Sequence, residues 1–205
     1  MTEHTIRTLE RRAFDLSEIQ IRAANEGEQR LHFTGRAVVY DQLSADLGGW
    51  QEVIKPGAAS RSLESNPDVR FLLNHDANKL LARTTSGTLR LTEDSEGVLV
   101  DADMANVSYA RDLAELLERG DLTQMSFGFW VTRDEWNGSL HVVREFDFDG
   151  GDVAAVTYPA YPQTSAELRS IAAAHLERDK PAAPQVRELA RDLHTIRELD
   201  MLAKL

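Results

Sequence analysis

Between residues 30 and 162 the chain is cut into short β-type runs by turn residues, and this punctuation restricts the fold more than any other feature. The runs are VRFLL, TLRLTE, GVLVDADM, MSFGFWVT, SLHVVREF and DVAAVT, preceded by a stretch through Leu31, Phe33, Val38, Val39 and Tyr40. Each is rich in β-branched or aromatic side chains and is bounded by polar or glycine-containing segments. Asn137-Gly138, between two of the runs, is the strongest local hairpin signal. Gly35 interrupts the first run and predicts a bulge or bend there. About seven short strands separated by turns predict a barrel or a sandwich.

Two helices are expected among the strands. One follows Pro56-Gly57 and covers Ala58–Leu63, since proline suits a helix start. The other takes Ser108 as its N-cap and presents Ala110, Leu113, Ala114, Leu116 and Leu117 on one face. Gly120 ends it, with Arg119 placed to complement the dipole. The fold class is therefore mainly β with flanking helices (α+β). Residues 1–29 read as a leader with one short strand, in which Ile19, Ile21 and Ala23 alternate with polar residues. Residues 30–163 form the β-rich domain, and residues 164–205 a helical C-terminal extension broken by a linker at 180–184. In its last helix Val186, Leu189, Leu193 and Ile196 make an apolar stripe suited to packing on the domain or on a partner.

Composition excludes several classes. With 205 residues, 42% of them hydrophobic and 28% charged, the chain can bury a core without staples. The net charge of −11 counts against a dedicated nucleic-acid binder, which needs basic groups to neutralise phosphates. That excess is local: residues 93–152 hold 15 acidic and 4 basic side chains, while the segments on either side balance. No cysteine is present, so disulfides, thiolate zinc sites and cysteine nucleophiles are ruled out. No apolar window is long enough for a membrane span, and the charged N-terminus lacks the apolar core of a secretory signal. The expectation is a cytoplasmic protein without membrane partner. There is no phosphate loop, no H-E-x-x-H helix and no G-x-S-x-G elbow, and no two of the six histidines share a metal-ligand spacing. Neither a metal nor a cofactor is expected.

Two residues could carry chemistry. His75 leaves an apolar strand into the polar turn Asn74-His75-Asp76, where a rigid and partly desolvated imidazole can act as a general base. It could equally be a turn histidine bonded to Asn74 or Asp76. Ser126 is the one small hydroxyl residue within Met125-Ser126-Phe127-Gly128-Phe129, and Gly128 lets a ligand approach the backbone. A serine needs a base to become a nucleophile; without one, Ser126 is a space-filling residue.

The blocks taken in order resemble a known family. Phe33-Thr34-Gly35-Arg36-Ala37-Val38-Val39-Tyr40-Asp41 is followed by Glu52, Pro56-Gly57-Ala58 and Phe71-Leu72-Leu73-Asn74-His75-Asp76. Arg83-Thr84, Ser86-Gly87-Thr88-Leu89, Arg119-Gly120-Asp121-Leu122 and Met125-Ser126-Phe127-Gly128-Phe129 come next, and Val156-Thr157-Tyr158-Pro159-Ala160-Tyr161-Pro162 closes the series. Over about residues 30–165 this set resembles the tailed-phage prohead (head-maturation) proteases, which share a clan of serine peptidases with the herpesvirus assemblins. The resemblance implies an assemblin-like β-barrel ringed by helices, with His75 as general base and Ser126 as nucleophile. Assemblins orient the base with a second, downstream histidine, and no histidine here stands in a matching block. The resemblance to the phage members implies a carboxylate instead. Asp152 is the first choice and Asp101 the runner-up, while His141 ranks lower because its hairpin strand is expected to turn it to solvent.

The same resemblance implies a serine endopeptidase of the host cytoplasm, acting within assembling proheads. Its substrates would be the major capsid protein, scaffold segments and the protease itself, with self-association and a cut in the 180–184 linker. The rival is a non-enzymatic scaffold or capsid-assembly factor on the same fold. If the acidic stretch lines the site, it would attract basic peptide segments and favour cleavage near Lys or Arg.

Overall fold

The computed structural model describes residues 9–15, 20–23 and 31–157. In chain order its elements are β1 (Glu10–Asp15), β2 (Gln20–Ala23), β3 (Leu31–Val39), β4 (Gln51–Ile54), α1 (Ser60–Glu64), β5 (Arg70–Leu73) and β6 (Leu80–Arg83). Next come β7 (Leu89–Glu93), β8 (Gly97–Asp103), α2 (Ser108–Glu118), β9 (Gln124–Asn137) and β10 (Leu140–Val156). The strands form two sheets. The larger runs β1-β9-β10-β5-β6, with β4 also paired to β10, and the smaller runs β2-β3-β8-β7.

Strand alternation builds the core between them. Side chains at every second position share one face of a strand. In β8 this buries Val98, Val100 and Ala102, and in β9 it buries Met125, Phe127 and Phe129 in the same cluster. Phe127 stacks on Phe129 with ring centroids 4.5 Å apart, and Phe146 meets Phe148 edge-on at 4.9 Å. Phe33 and Phe71 join from opposite sheets at 4.8 Å. The other face of the larger sheet carries a smaller apolar group of Leu72, Ala154 and Val156, with Ala13 against it.

Several expectations change in this structure. The described strands make two sheets and no closed barrel, and two short helices do not ring them. SLHVVREF and DVAAVT are not separate strands but the two halves of β10, whose register against β9 shifts between Asp147 and Asp152. There Gly151 lies so near Gly128 that an added Cβ would sit 2.2 Å from the Gly128 carbonyl oxygen. The bulge in β3 falls between Arg36 and Val38 rather than at Gly35. Gly35 instead leaves room for Phe33 and Met125, which an added Cβ would meet at 3.0 and 3.2 Å. The β9–β10 hairpin forms as expected, but its two-residue loop is Gly138-Ser139, with Gly138 in the left-handed region at φ 61°.

The N-terminal region contributes two strands: the expected β2, and β1, which pairs antiparallel with β9. Ser108 starts α2 without a side-chain cap, Val107 taking the N-cap position. The C-terminus of α2 is as expected. Gly120 adopts φ 73°, its N–H donates to Leu117 C=O at 3.1 Å, and the Asp121 N–H donates to Leu116 C=O at 2.9 Å. The helical extension and its 180–184 linker lie outside the described residues.

His141 is the clearest correction: it is fully buried, not solvent-facing. It lies between Glu52 on β4 and Trp136 on β9, and the Trp136 ring stacks on it at 4.5 Å. Its Nδ1 bonds Glu52 at 2.9 Å and its Nε2 bonds Asp134 at 2.6 Å. Arg12 of β1 donates to both Glu52 oxygens, at 2.6 and 2.8 Å, and to Glu10 at 2.5 Å. Burial opposes the charge on His141, but the bonds to Asp134 and Glu52 outweigh it and push the imidazole up to about 9. Burial likewise opposes ionisation of Glu52, and Arg12 with His141 overcomes it, holding that carboxyl below its usual range. The network joins β1, β4, β9 and β10 through charges that would be costly if left single.

Because the folded His141 value lies above the ordinary 6.5, its protonation stabilises the fold fully below pH 6.5 and progressively less as pH rises through about 9. The loss should reach about 3 kcal/mol. Urea midpoints should therefore fall across that window, and fall less in His141→Gln. Identical pH profiles for the two proteins would contradict the assignment.

Candidate active site

Locking Phe127 and Phe129 into the core turns Ser126 and Gly128 to the opposite face of the larger sheet. Ser126 stands beside Ala13 of β1 and Ala154 of β10, and it is fully buried. Alternation in β10 works the same way: Val153 and Ala155 enter the core, while Asp152 and Ala154 share the face of Ser126. Strand β5 runs parallel to β10 on the side away from β9, and it ends in the turn that carries His75.

That turn is tight. Asn74 and His75 both lie in the left-handed region, at φ 54° and 56°, and the Asp76 N–H donates to Leu73 C=O at 3.0 Å. Two consecutive central residues at positive φ are the pattern of a type I′ turn, which asparagine tolerates well and histidine less readily. The turn folds the imidazole back across β10. Ala154, level with Leu72 on one side and Ser126 on the other, is small enough to be crossed.

The imidazole then meets both partners. His75 Nε2 is 2.7 Å from Ser126 Oγ, and His75 Nδ1 hydrogen-bonds Asp152 Oδ2. An ionised Asp152 only accepts, so Nδ1 carries the proton and Nε2 is left free to accept from the serine hydroxyl. Such an arrangement can draw the proton from Ser126, and the carboxylate can steady the imidazolium that results. The side chains of His75 and Asp152 are 12% and 8% exposed, so little water competes for these bonds.

The structure thus brings together Ser126, His75 and Asp152, the first choice among carboxylates. It does not bring in Asp101, which lies on β8 in the smaller sheet and pairs with Arg90 and His32. Asn74 and Asp76 do not bond the imidazole; the Asn74 side chain accepts from Thr157 instead. The acidic stretch also distributes differently from expectation. Glu93 bonds Tyr40 and Ser60, Asp94 and Glu96 bond Arg36, Asp103 bonds Arg90, Asp134 bonds His141, and Glu145 pairs with Arg133. Only Asp152 of that stretch bonds the imidazole among the described residues. Beside it stands a cation, Arg11 of β1, whose guanidinium is 3.9 Å from Asp152 and whose side chain is 43% exposed. Arg11 gave no sequence signal, because nothing local reveals that β1 pairs with β9. Among the described residues no cluster of His, Asp or Glu could hold a metal, and no helix is long and apolar enough to cross a membrane.

Gly128 packs directly against the carboxylate of this arrangement. A Cβ there would sit 2.8 Å from Asp152 Oδ1, so Gly128→Ala should push the carboxylate off His75. The far-downfield proton resonance of the His75–Asp152 bond should vanish in that variant while the amide spectrum stays folded. Its persistence would show that the carboxylate has room to yield.

No curated protein matches the chain. Among solved structures, the capsid assembly protease of bacteriophage T4 is similar, with a TM-score of 0.51 at 12% identity over 71% of this chain and 96% of that one. At that identity the likeness is one of fold. A family model described as Caudovirus prohead serine protease matches residues 17–179. With most of its length covered by that model, the chain belongs to the Caudovirus prohead serine protease family.

Proposed function

We propose that the chain is a serine endopeptidase in which Ser126 is the nucleophile, His75 the general base and Asp152 the carboxylate that orients it. The observation carrying this reading is the unbroken line of hydrogen bonds Asp152–His75–Ser126, held across three neighbouring strands by largely buried side chains. His75 Nε2 takes the hydroxyl proton as Ser126 Oγ attacks a peptide carbonyl carbon, giving a tetrahedral oxyanion. The imidazolium then passes that proton to the departing amine, the C–N bond breaks, and an acyl-enzyme remains. Water, deprotonated by the same nitrogen, attacks the ester carbonyl, and the returned proton releases Ser126. Asp152 keeps its charge throughout.

Family membership supports the substrate class. The proteins cut are those of an assembling phage head within the host cell: the major capsid protein, scaffold segments and the protease's own C-terminal region. A non-catalytic assembly factor would have no use for a serine held 2.7 Å from an oriented imidazole.

Co-expression with the phage capsid protein tests the reading. Wild type should shorten the capsid protein, and Ser126→Ala and His75→Ala should leave it intact. Asp152→Asn should slow cleavage by about 10²–10⁴-fold, since the amide favours the wrong tautomer. Undiminished cutting by Ser126→Ala would remove Ser126 from the mechanism. Equal failure of all the proteins, wild type included, would favour the assembly factor.

A further inference from the structure

We propose that Asn74 is a positioning residue for this reaction, fixing the imidazole of His75 by clamping its turn to the end of β10; the proposal rests on the reading of His75 as the base. The turn closes on its own bond from the Asp76 N–H to the Leu73 carbonyl, and that bond fixes nothing relative to β10. His75 bears a Cβ yet occupies the left-handed region at φ 56°, a conformation that persists only where its surroundings impose it.

Asn74 supplies that imposition at two points. Its N–H donates to the Ala155 carbonyl at 2.9 Å, extending the β5–β10 ladder by one bond. Its side-chain Oδ1 accepts from the Thr157 N–H at 2.9 Å and from the Thr157 hydroxyl at 3.2 Å. The imidazole next to it reaches Asp152 on the same strand. Base, orienting carboxylate and clamp are therefore all referred to β10, at residues 152 and 155 and at Thr157 just past its end, so the base cannot drift from the carboxylate while the clamp is closed.

The residue type fits both tasks. Glycine would satisfy φ 54° but offers no acceptor, alanine offers neither, and aspartate offers both the tolerance and the oxygen. Asn74 is exposed, so its replacement should spare the core.

The experiment compares wild type, Asn74→Gly and Asn74→Asp. Each is titrated with a fluorophosphonate that acylates activated serines, and the proton resonance of the His75–Asp152 hydrogen bond is recorded. Asn74→Gly should lower the maximal labelling rate at least tenfold with the half-saturating concentration within twofold, and should lose the resonance. Asn74→Asp should recover most of the rate and keep the resonance. An Asn74→Gly protein that labels like wild type and retains the resonance would overturn the clamp. So would an Asn74→Asp protein as impaired as the glycine variant, because the acceptor oxygen would then be irrelevant. The resonance is read without any labelling. A wild type that never labels thus counts against the peptidase reading, while the clamp is still judged from the spectra.

Discussion

The site depends on one packing constraint, the insertion of Phe127 and Phe129 into the core between the two sheets. Their rings touch each other and the Phe146–Phe148 pair, so β9 cannot slip by one residue without carrying two aromatic side chains out of the core. That register fixes Ser126 on the opposite face with Gly128 beside it. A serine between the core residues Met125 and Phe127 is therefore placed by its neighbours, and its own contacts need only aim it.

Strand β10 organises the remainder. One half pairs with β4, the other with β5, and its full length lies along β9. The Asp152 half presents the carboxylate and anchors the His75 turn, while the His141 half carries the buried ion network with Glu52, Asp134 and Arg12. Both halves stiffen the same hairpin by different means. Near Ser126 the means is close packing of small side chains and glycines, and at the far end it is paired charge. Strand β1 links them, since Arg12 enters the network while Ala13 lies beside Ser126.

The local sequence offered the residues of the candidate site, and the family resemblance, not the local pattern, implied their roles. MSFGF shows alternation directly, and LLNHD shows a strand ending in a polar turn. Asp152 begins an apolar run and could be ranked first among carboxylates, although only the register of β10 against β9 and β5 makes it a neighbour of His75. What stayed hidden depends on distant partners. ERRAFD reads as a charged leader, yet Arg12 is buried between the carboxylates of Glu10 and of Glu52, the latter 40 residues away, and its charge offsets both. Nothing in its local sequence marks His141 as buried, because its partner Glu52 is 89 residues distant. The length of β10 was concealed by Asp147–Gly151, a polar and glycine-rich stretch that resembles a loop but is an irregular section of strand. Barrel closure could not be judged, because local periodicity says nothing about which edges meet.

The acidic stretch that dominates the chain's net charge belongs mostly to ion pairs and hydrogen bonds outside the site; among the described residues Asp152 is its member at the imidazole, with Arg11 beside it. The central claim is that one serine is activated by its place in the fold. The most direct measurement is the position of the covalent adduct formed by a fluorophosphonate on the full-length protein, mapped by peptide mass spectrometry. A single adduct on Ser126, absent when the protein is unfolded in urea, is the predicted result. An adduct on another serine, or equal labelling of the unfolded chain, would contradict it.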